Sequence, residues 1–326
     1  MTDLARAALA LFLLASATVL LGMAFFRRYA IIRAPLGVMN LGDVAFMLGG
    51  IILIPYLYLA LPGWIVATLL AIGTLGLLQL LLEPMLHPAW LPWLVAAVLV
   101  GADIALARQV GTGTIAFVAV NNVILLLTVV AVTNVWAQSG LRARDLAILA
   151  GALVLYDLVA TSVLPLTNQL IDRLAGLPLT PVLAWPVGEQ GWSGIGLGDL
   201  LFATVGPLVF RKAFGRPAGW VAIILAVSAL ALVFAAAVWG LLPGTFPVMV
   251  VLGPLLVAQY LAWMRATGSE RTTAQYLAQS PPMCRSARRA TPKPRRGATL
   301  SAPSAVPPSG SPPRSPSSAR SARPMR

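Results

Sequence analysis

The chain has 326 residues, of which 59% are hydrophobic and only 10% are charged. A soluble domain carries roughly 25% charged residues, so this composition excludes a soluble globular protein and indicates a polytopic membrane protein. The net charge of +13 would favour nucleic-acid binding on a folded surface, but residues 267–326 hold eleven of the 23 Lys and Arg and a single acid, Glu270. The basic charge therefore belongs mainly to a C-terminal tail, and we expect no nucleic-acid partner.

Apolar segments of about 20 residues, the length of a membrane-spanning helix, recur along the chain. They predict an all-α polytopic membrane domain of about nine transmembrane helices in residues 1–266. Turn-forming or charged residues separate the segments. The predicted spans are 5–26, 41–61, 63–83, 90–107, 113–137, 145–166, 194–210, 218–242 and 245–264.

From residue 267 the composition changes to Arg, Ser, Pro and Ala, which predicts a disordered tail over 267–326. Basic loop residues collect on one side of the predicted bundle, and such residues favour the cytoplasmic side. This charge distribution predicts that the N-terminus is outside and the C-terminus in the cytoplasm, and we expect a multi-pass protein of a prokaryotic inner membrane. The basic residues on that side are Arg27, Arg28, Arg33, Arg142, Arg144, Arg211, Lys212, Arg216, Arg265 and Arg271.

Acidic side chains are the acid–base groups that remain for chemistry within the apolar region. The single cysteine, Cys284, lies in the tail, and the single histidine, His87, lies in a short loop between prolines. These counts exclude a disulfide framework and a cysteine-based metal site. We expect neither a metal nor another cofactor.

Two neighbouring spans each carry one aspartate, Asp157 and Asp199. An ionised Asp at the bilayer centre costs at least about 2.5 to 3.5 kcal/mol, so intramembrane acids usually line a cavity or carry chemistry. At 1.5 Å per residue, Asp157 lies about 12 Å and Asp199 about 8 to 9 Å from the same membrane face. Gly194, Gly196 and Gly198 remove side chains where the second span begins, which permits close approach.

Two carboxyl groups about 3 Å apart cannot both ionise and would share a proton. One then acts as general base on a water molecule while the other acts as general acid. The pair predicts hydrolysis of a peptide bond through a tetrahedral gem-diol, without a covalent intermediate.

Around these aspartates the sequence resembles the presenilin and signal-peptide-peptidase family of intramembrane aspartyl proteases. Tyr156-Asp157-Leu158-Val159-Ala160 is similar to the Tyr-Asp motif of that family's sixth span, and Gly196-Leu197-Gly198-Asp199 to the Gly-x-Gly-Asp motif of its seventh. The resemblance implies a presenilin-like bundle, catalytic roles for Asp157 and Asp199, and transmembrane peptide or protein substrates within the lipid bilayer. It also implies that Tyr156, Gly196 and Gly198 support the site.

The sequence departs from the family where the ninth span begins. The family carries Pro-Ala-Leu there, beside the catalytic pair, whereas the corresponding region here reads Pro243-Gly244-Thr245-Phe246-Pro247. The resemblance assigns Gly244, Thr245, Phe246 and Pro247 to the substrate site by position. The predicted orientation matches signal peptide peptidase, which implies substrates whose N-terminus is cytoplasmic.

Other functions fit the same acids. A proton-coupled transporter would use Asp157 and Asp199 as a relay, although the two halves show no clear repeat. A prepilin-type peptidase shares the Gly-x-Gly-Asp chemistry but usually has Lys two residues after the Asp, where this chain has Leu201. A non-enzymatic membrane scaffold or chaperone is a further alternative.

Polar residues elsewhere in the spans are interpreted as packing. Asp103 is expected to pack or to line a water cavity, and Asn121, Asn122 and Asn134 to form interhelical hydrogen bonds. The loop 167–193 is expected to cover the site or to supply a strand edge for an extended substrate.

Overall fold

The apolar segments form helices in the computed structural model, which describes residues 2–31, 41–162, 166–188, 191–242, 246–272 and 275–276. Within these ranges the chain forms ten helices and one antiparallel pair of strands. The elements are α1 (Asp3–Arg28), α2 (Leu41–Ala60), α3 (Gly63–Leu82), α4 (Leu91–Gln109), α5 (Ile115–Gln138), α6 (Ala143–Ser162), α7 (Leu166–Ala175), β1 (Val182–Val187), β2 (Gly191–Gly196), α8 (Leu197–Phe214), α9 (Arg216–Val238) and α10 (Met249–Thr267).

Local sequence signals set several helix ends. The hydroxyl of Thr2 accepts a hydrogen bond from the Ala5 amide at 3.3 Å, and the hydroxyl of Thr114 accepts one from the Phe117 amide at 3.4 Å. Both threonines are N-caps of the kind that satisfies the first free amides of a helix. Gly215 has φ +103°, a backbone conformation that glycine adopts without strain. This residue alone separates the end of α8 from the start of α9.

Seven helices in the described part of the chain are long and apolar enough to cross a membrane by length and composition: α1 to α5, α9 and α10. The prediction of a membrane protein is confirmed at this level. The helices that carry Asp157 and Asp199, α6 and α8, are 20 and 18 residues long and stand outside this group. Each contains three charged residues, whereas each of the seven has at most two within its apolar stretch. The count of nine spans stays a prediction.

The helix α8 forms the centre of the packing. Residues 202–210 are all buried, and α1, α5, α9 and α10 pack against this helix. The helix α2 is much less buried: only 6% of its most apolar 18 residues are buried, against 56% for the same length of α5. Large apolar side chains that face outward are expected where a helix contacts lipid.

The predicted loop 167–193 contains ordered elements, namely α7 and most of an antiparallel hairpin of β1 and β2. Val182 pairs with Gly196 and Val187 with Gly191. The prediction that a helical span begins at residue 194 is therefore wrong by three residues, because residues 194–196 belong to β2. The predicted helical start at residue 245 is also too early, since α10 begins at Met249 after Phe246 and Pro247 in irregular structure.

Candidate active site

Asp199 lies in the first turn of α8, directly after β2 ends. Its Oδ1 accepts a hydrogen bond from the Met249 amide at 3.0 Å, and the Val248 amide donates a second bond to the same carboxyl group. Both amides belong to the start of α10, where free N–H groups and the helix dipole favour a negative charge. Asp199 thus links the beginning of α8 to the beginning of α10.

Asp157 lies on α6. The helix α10, whose first residues bond to Asp199, also packs against α6. One turn into α10, Gly253 approaches α6 so closely that an added Cβ would clash with the Val154 side chain and would lie 3.1 Å from the Ala150 carbonyl oxygen. A helix interface with glycine at the contact lets two backbones come near. As a result, α10 contacts both acid-bearing helices within its first two turns.

The two predicted aspartates lie on separate helices, α6 and α8, that α10 contacts. The charge of Asp157 acts on Asp199, so the carboxyl groups lie within electrostatic range of each other. Among the described residues, none forms a hydrogen bond with the Asp157 carboxyl group. One acid is therefore held by backbone amides while the other is free to turn toward a water molecule or a substrate.

The two acids lie closer to helix ends than their sequence positions predict. Asp199 is the third residue of α8 rather than a residue about 8 to 9 Å inside a span. Asp157 lies five residues before Ser162, the last residue of α6, which corresponds to about 7.5 Å. Both acids are therefore nearer to a helix end than predicted.

The three predicted support residues around the acids occupy different surroundings. The Tyr156 ring packs against the main hydrophobic core, and its hydroxyl lies within electrostatic range of Asp157 and of Tyr56 on α2. A Cβ on Gly196 would lie 3.9 Å from Asp199 Oδ2, whereas a Cβ on Gly198 would meet nothing within 4 Å. Open space therefore adjoins the first turn of α8.

The predicted substrate segment before the last helix is described in part. Gly244 and Thr245 lie outside the described residues. Phe246 packs against the main core, and Pro247 is half-buried. Because Val248 and Met249 follow directly and bind Asp199, this segment approaches the acid pair although its sequence differs from Pro-Ala-Leu.

The glycines before α8 serve the hairpin rather than a helix–helix contact. An added Cβ on Gly194 would lie 2.7 Å from Val182 Cγ1 and 3.0 Å from the Leu183 carbonyl oxygen of β1. Real Cβ atoms do not come that close, so this pairing requires glycine. Gly194 and Gly196 are exposed on the remaining side, which places an accessible strand directly before Asp199.

The base of the hairpin binds polar groups of α4 and α5 whose partners the sequence did not reveal. Asp103 is fully buried, and its Oδ2 accepts a hydrogen bond from the Leu179 amide at 2.7 Å. Asn121 Nδ2 donates to the Thr180 carbonyl at 3.0 Å, and Asn122 bonds to Ala184. The prediction of interhelical bonds is wrong for Asn121 and Asn122.

For Asn134 the same prediction is confirmed. Its amide donates to the Gly22 carbonyl of α1 at 3.3 Å and to the Val130 carbonyl of α5 at 2.8 Å. The segment Trp185-Pro186-Val187-Gly188 combines strand-forming and turn-forming residues, which indicates a strand and a turn in the predicted loop but does not identify Asn121 and Asn122 as their partners.

No model of a known protein family matches the chain, and no protein of curated function matches it in sequence. The function is accordingly inferred from the site.

Proposed function

We propose that the protein is an intramembrane aspartyl protease of the presenilin and signal-peptide-peptidase type, with Asp157 and Asp199 as its catalytic residues. The observation that carries this proposal is that two carboxyl groups from separate helices of an apolar bundle lie within electrostatic range of each other, with Asp199 held by the Met249 amide at the start of α10. Acids placed in such surroundings without a basic partner beside them are usually functional.

The pair supports hydrolysis by water. One ionised carboxylate takes a proton from a water molecule as the oxygen bonds to the scissile carbonyl carbon, while the other, protonated carboxyl gives its proton to the carbonyl oxygen. The gem-diol then collapses: a proton passes to the amide nitrogen, the C–N bond breaks, and an acid and an amine leave. The backbone amides of Val248 and Met249 hold Asp199 in place during both steps.

The neighbouring strand supplies a place for the substrate. A transmembrane helix must unwind before its peptide bonds are accessible, because helical carbonyls and amides are paired internally. An extended peptide can recover these hydrogen bonds by adding to a strand edge. The exposed strand β2 runs directly into α8, so a peptide added there passes Asp199.

The wider features of the sequence complete the proposal. The chain crosses the membrane about nine times, with α6 and α8 as the sixth and seventh spans. Its N-terminus is outside and its basic C-terminal tail is in the cytoplasm of a prokaryotic inner membrane. Its partners are the lipid bilayer and single-pass transmembrane substrates.

Cleavage in liposomes tests the proposal. Purified protein is incubated with single-pass test substrates, and products are identified by mass spectrometry. Asp157→Asn and Asp199→Asn should each lower the rate about 1000-fold or more, because general acid–base catalysis is lost. Asp172→Asn, which alters an exposed acid on the nearby helix α7, should cut at the rate of the unmodified protein. Undiminished cleavage by both site variants would refute the proposal, and proton flux driven by a solute would favour a transporter.

A further inference from the structure

The backbone of β1 divides its hydrogen-bonding groups between two edges. In an antiparallel pair, alternate residues direct their amide and carbonyl toward the partner strand. The Leu197 amide donates to the Pro181 carbonyl at 3.0 Å, which continues the β1–β2 register by one residue. Because the pattern repeats every two residues, the backbone amide and carbonyl groups of Leu183 and Trp185 also point toward β2. Ala184 and Pro186 therefore face the opposite edge.

A side chain occupies that opposite edge. Asn122 Nδ2 donates to the Ala184 carbonyl at 2.8 Å, and the Ala184 amide donates to Asn122 Oδ1 at 3.1 Å. A carboxamide has the donor and acceptor of a peptide group, so these two bonds reproduce those of a neighbouring strand. Asn122 is only 3% exposed, which makes the loss of this pairing costly.

The next outward position on the same edge has no donor to offer. Pro186 lacks an amide N–H, and proline is excluded from strands that pair on both sides. Asn121 also occupies the Thr180 carbonyl at the start of the strand. The outer edge of β1 is therefore closed by α5 and by proline.

The outer edge of β2 has a different character. The same alternation turns the backbone of Trp192, Gly194 and Gly196 away from β1. All three residues are exposed. The hairpin thus has one closed edge and one open edge, and the open edge continues into the turn that carries Asp199.

We propose that Asn122 is a positioning residue that closes the β1 edge, so that an extended substrate segment adds only beside β2 and in a single register relative to Asp199. This inference rests on the proposed protease function. The chemistry of the ligand is an unwound, uncharged peptide backbone, recognised by its amides and carbonyls rather than by a particular side chain.

The test compares two asparagines of α5. Asn122→Leu removes both hydrogen bonds to Ala184 while keeping the number and branching of the side-chain heavy atoms. Asn134→Leu is the matched control, because Asn134 is equally buried on the same helix but binds the Gly22 carbonyl of α1. Both variants lose stability through an unsatisfied backbone group, so a purely structural role would affect them alike.

Hydrogen exchange resolved to single residues gives the first readout. In Asn122→Leu the Ala184 amide should exchange about tenfold faster than in the unmodified protein, as expected when one hydrogen bond is lost. In Asn134→Leu it should exchange at the original rate. Equal Ala184 exchange in all three proteins would overturn the proposal, whether or not the protein cleaves peptides.

The cleavage products give the second readout. Asn122→Leu should raise KM more than it lowers kcat and should spread the cuts over neighbouring peptide bonds, because the substrate gains alternative registers. Asn134→Leu should keep the original cut. Identical cut positions and KM in both variants would overturn a role in substrate placement. Absence of cleavage by the unmodified protein would instead refute the proposed function, while Ala184 exchange would still decide whether Asn122 closes the edge.

Discussion

The two ends of α8 differ in how they are closed. At the Asp199 end, the helix follows an exposed strand, and Gly196 and Gly198 have no side chains to cover its first turn. At the other end, Lys212 is only 2% exposed, and its Nζ donates to the carbonyls of Ala137 and Leu141, both at 2.7 Å. One end is accessible and the other is locked to the end of α5.

The segment after α10 strengthens the locked end. Glu270 Oε2 accepts hydrogen bonds from the amides of Ala143 and Arg144 at the start of α6, at 3.0 and 3.3 Å. The next residue, Arg271, donates from its guanidinium to the Arg211 carbonyl at the end of α8, at 3.1 Å. The helix dipole favours a negative charge at an N-terminus and a positive charge at a C-terminus, so Glu270 suits the start of α6 and Arg271 the end of α8. Two consecutive residues thus hold both acid-bearing helices at the ends far from their acids.

This difference suggests a division of labour along α8. The locked end fixes the spacing of α6 and α8, and under the proposed function the open end would admit a substrate. Stability should therefore respond mainly to changes at the locked end. Catalysis should respond to changes at the open end and at the contact of α10 with α6.

The largest stability loss is expected for Lys212→Met. The change removes the two hydrogen bonds that Lys212 donates to the Ala137 carbonyl of α5 and to the Leu141 carbonyl just after it, which should cost about 3 kcal/mol. Denaturation in detergent, followed by circular dichroism, measures the loss. Arg108→Met is the control, because Arg108 is exposed in the last turn of α4 and its replacement should change stability by less than about 0.5 kcal/mol. Equal losses in the two variants would show that the end of α8 is not locked.

A smaller loss is expected for Gly253→Ala. The added methyl group would clash with Val154 and push α10 away from α6, which should cost about 2 kcal/mol. Because α10 also binds Asp199, cleavage per folded molecule should fall as well. Gly101→Ala is the control, since an added Cβ there meets nothing within 4 Å. A Gly253→Ala protein that keeps full stability and activity would contradict the bridging role of α10.

The smallest effect is expected for Glu270→Gln. The amide oxygen can still accept a hydrogen bond, but the negative charge at the start of α6 is lost, so stability should fall by about 0.5 to 1 kcal/mol. Glu83→Gln makes the same change at the C-terminal end of α3. There a negative charge is unfavourable, and the substitution should leave stability unchanged or raise it slightly. A larger loss for Glu83→Gln would refute the capping role of Glu270.

The helices could be predicted from the sequence because apolar runs and turn residues mark them locally. The two acids stand out in the sequence because an acidic residue within an apolar span is rare, and their catalytic role stays a prediction. The hairpin could not be placed, since Gly-Ile-Gly before Asp199 fits a helix start as well as a strand. The partners of Asn121 and Asn122 were also out of reach, because a buried amide in a helix is equally satisfied by another helix or by a strand edge.

The separation of residues 157 and 199 tests the central claim most directly. In a Cys284→Ser background, Asp157→Cys and Asp199→Cys are combined and treated with thiol cross-linkers of graded length. Efficient linkage by a reagent that spans about 5 Å is predicted, since a shared-proton pair requires close carboxyl groups. The control pair Asp145→Cys and Asp199→Cys, displaced by about 18 Å along α6, should not react with that reagent. Linkage of the first pair only by reagents longer than about 12 Å would contradict the two-aspartate mechanism.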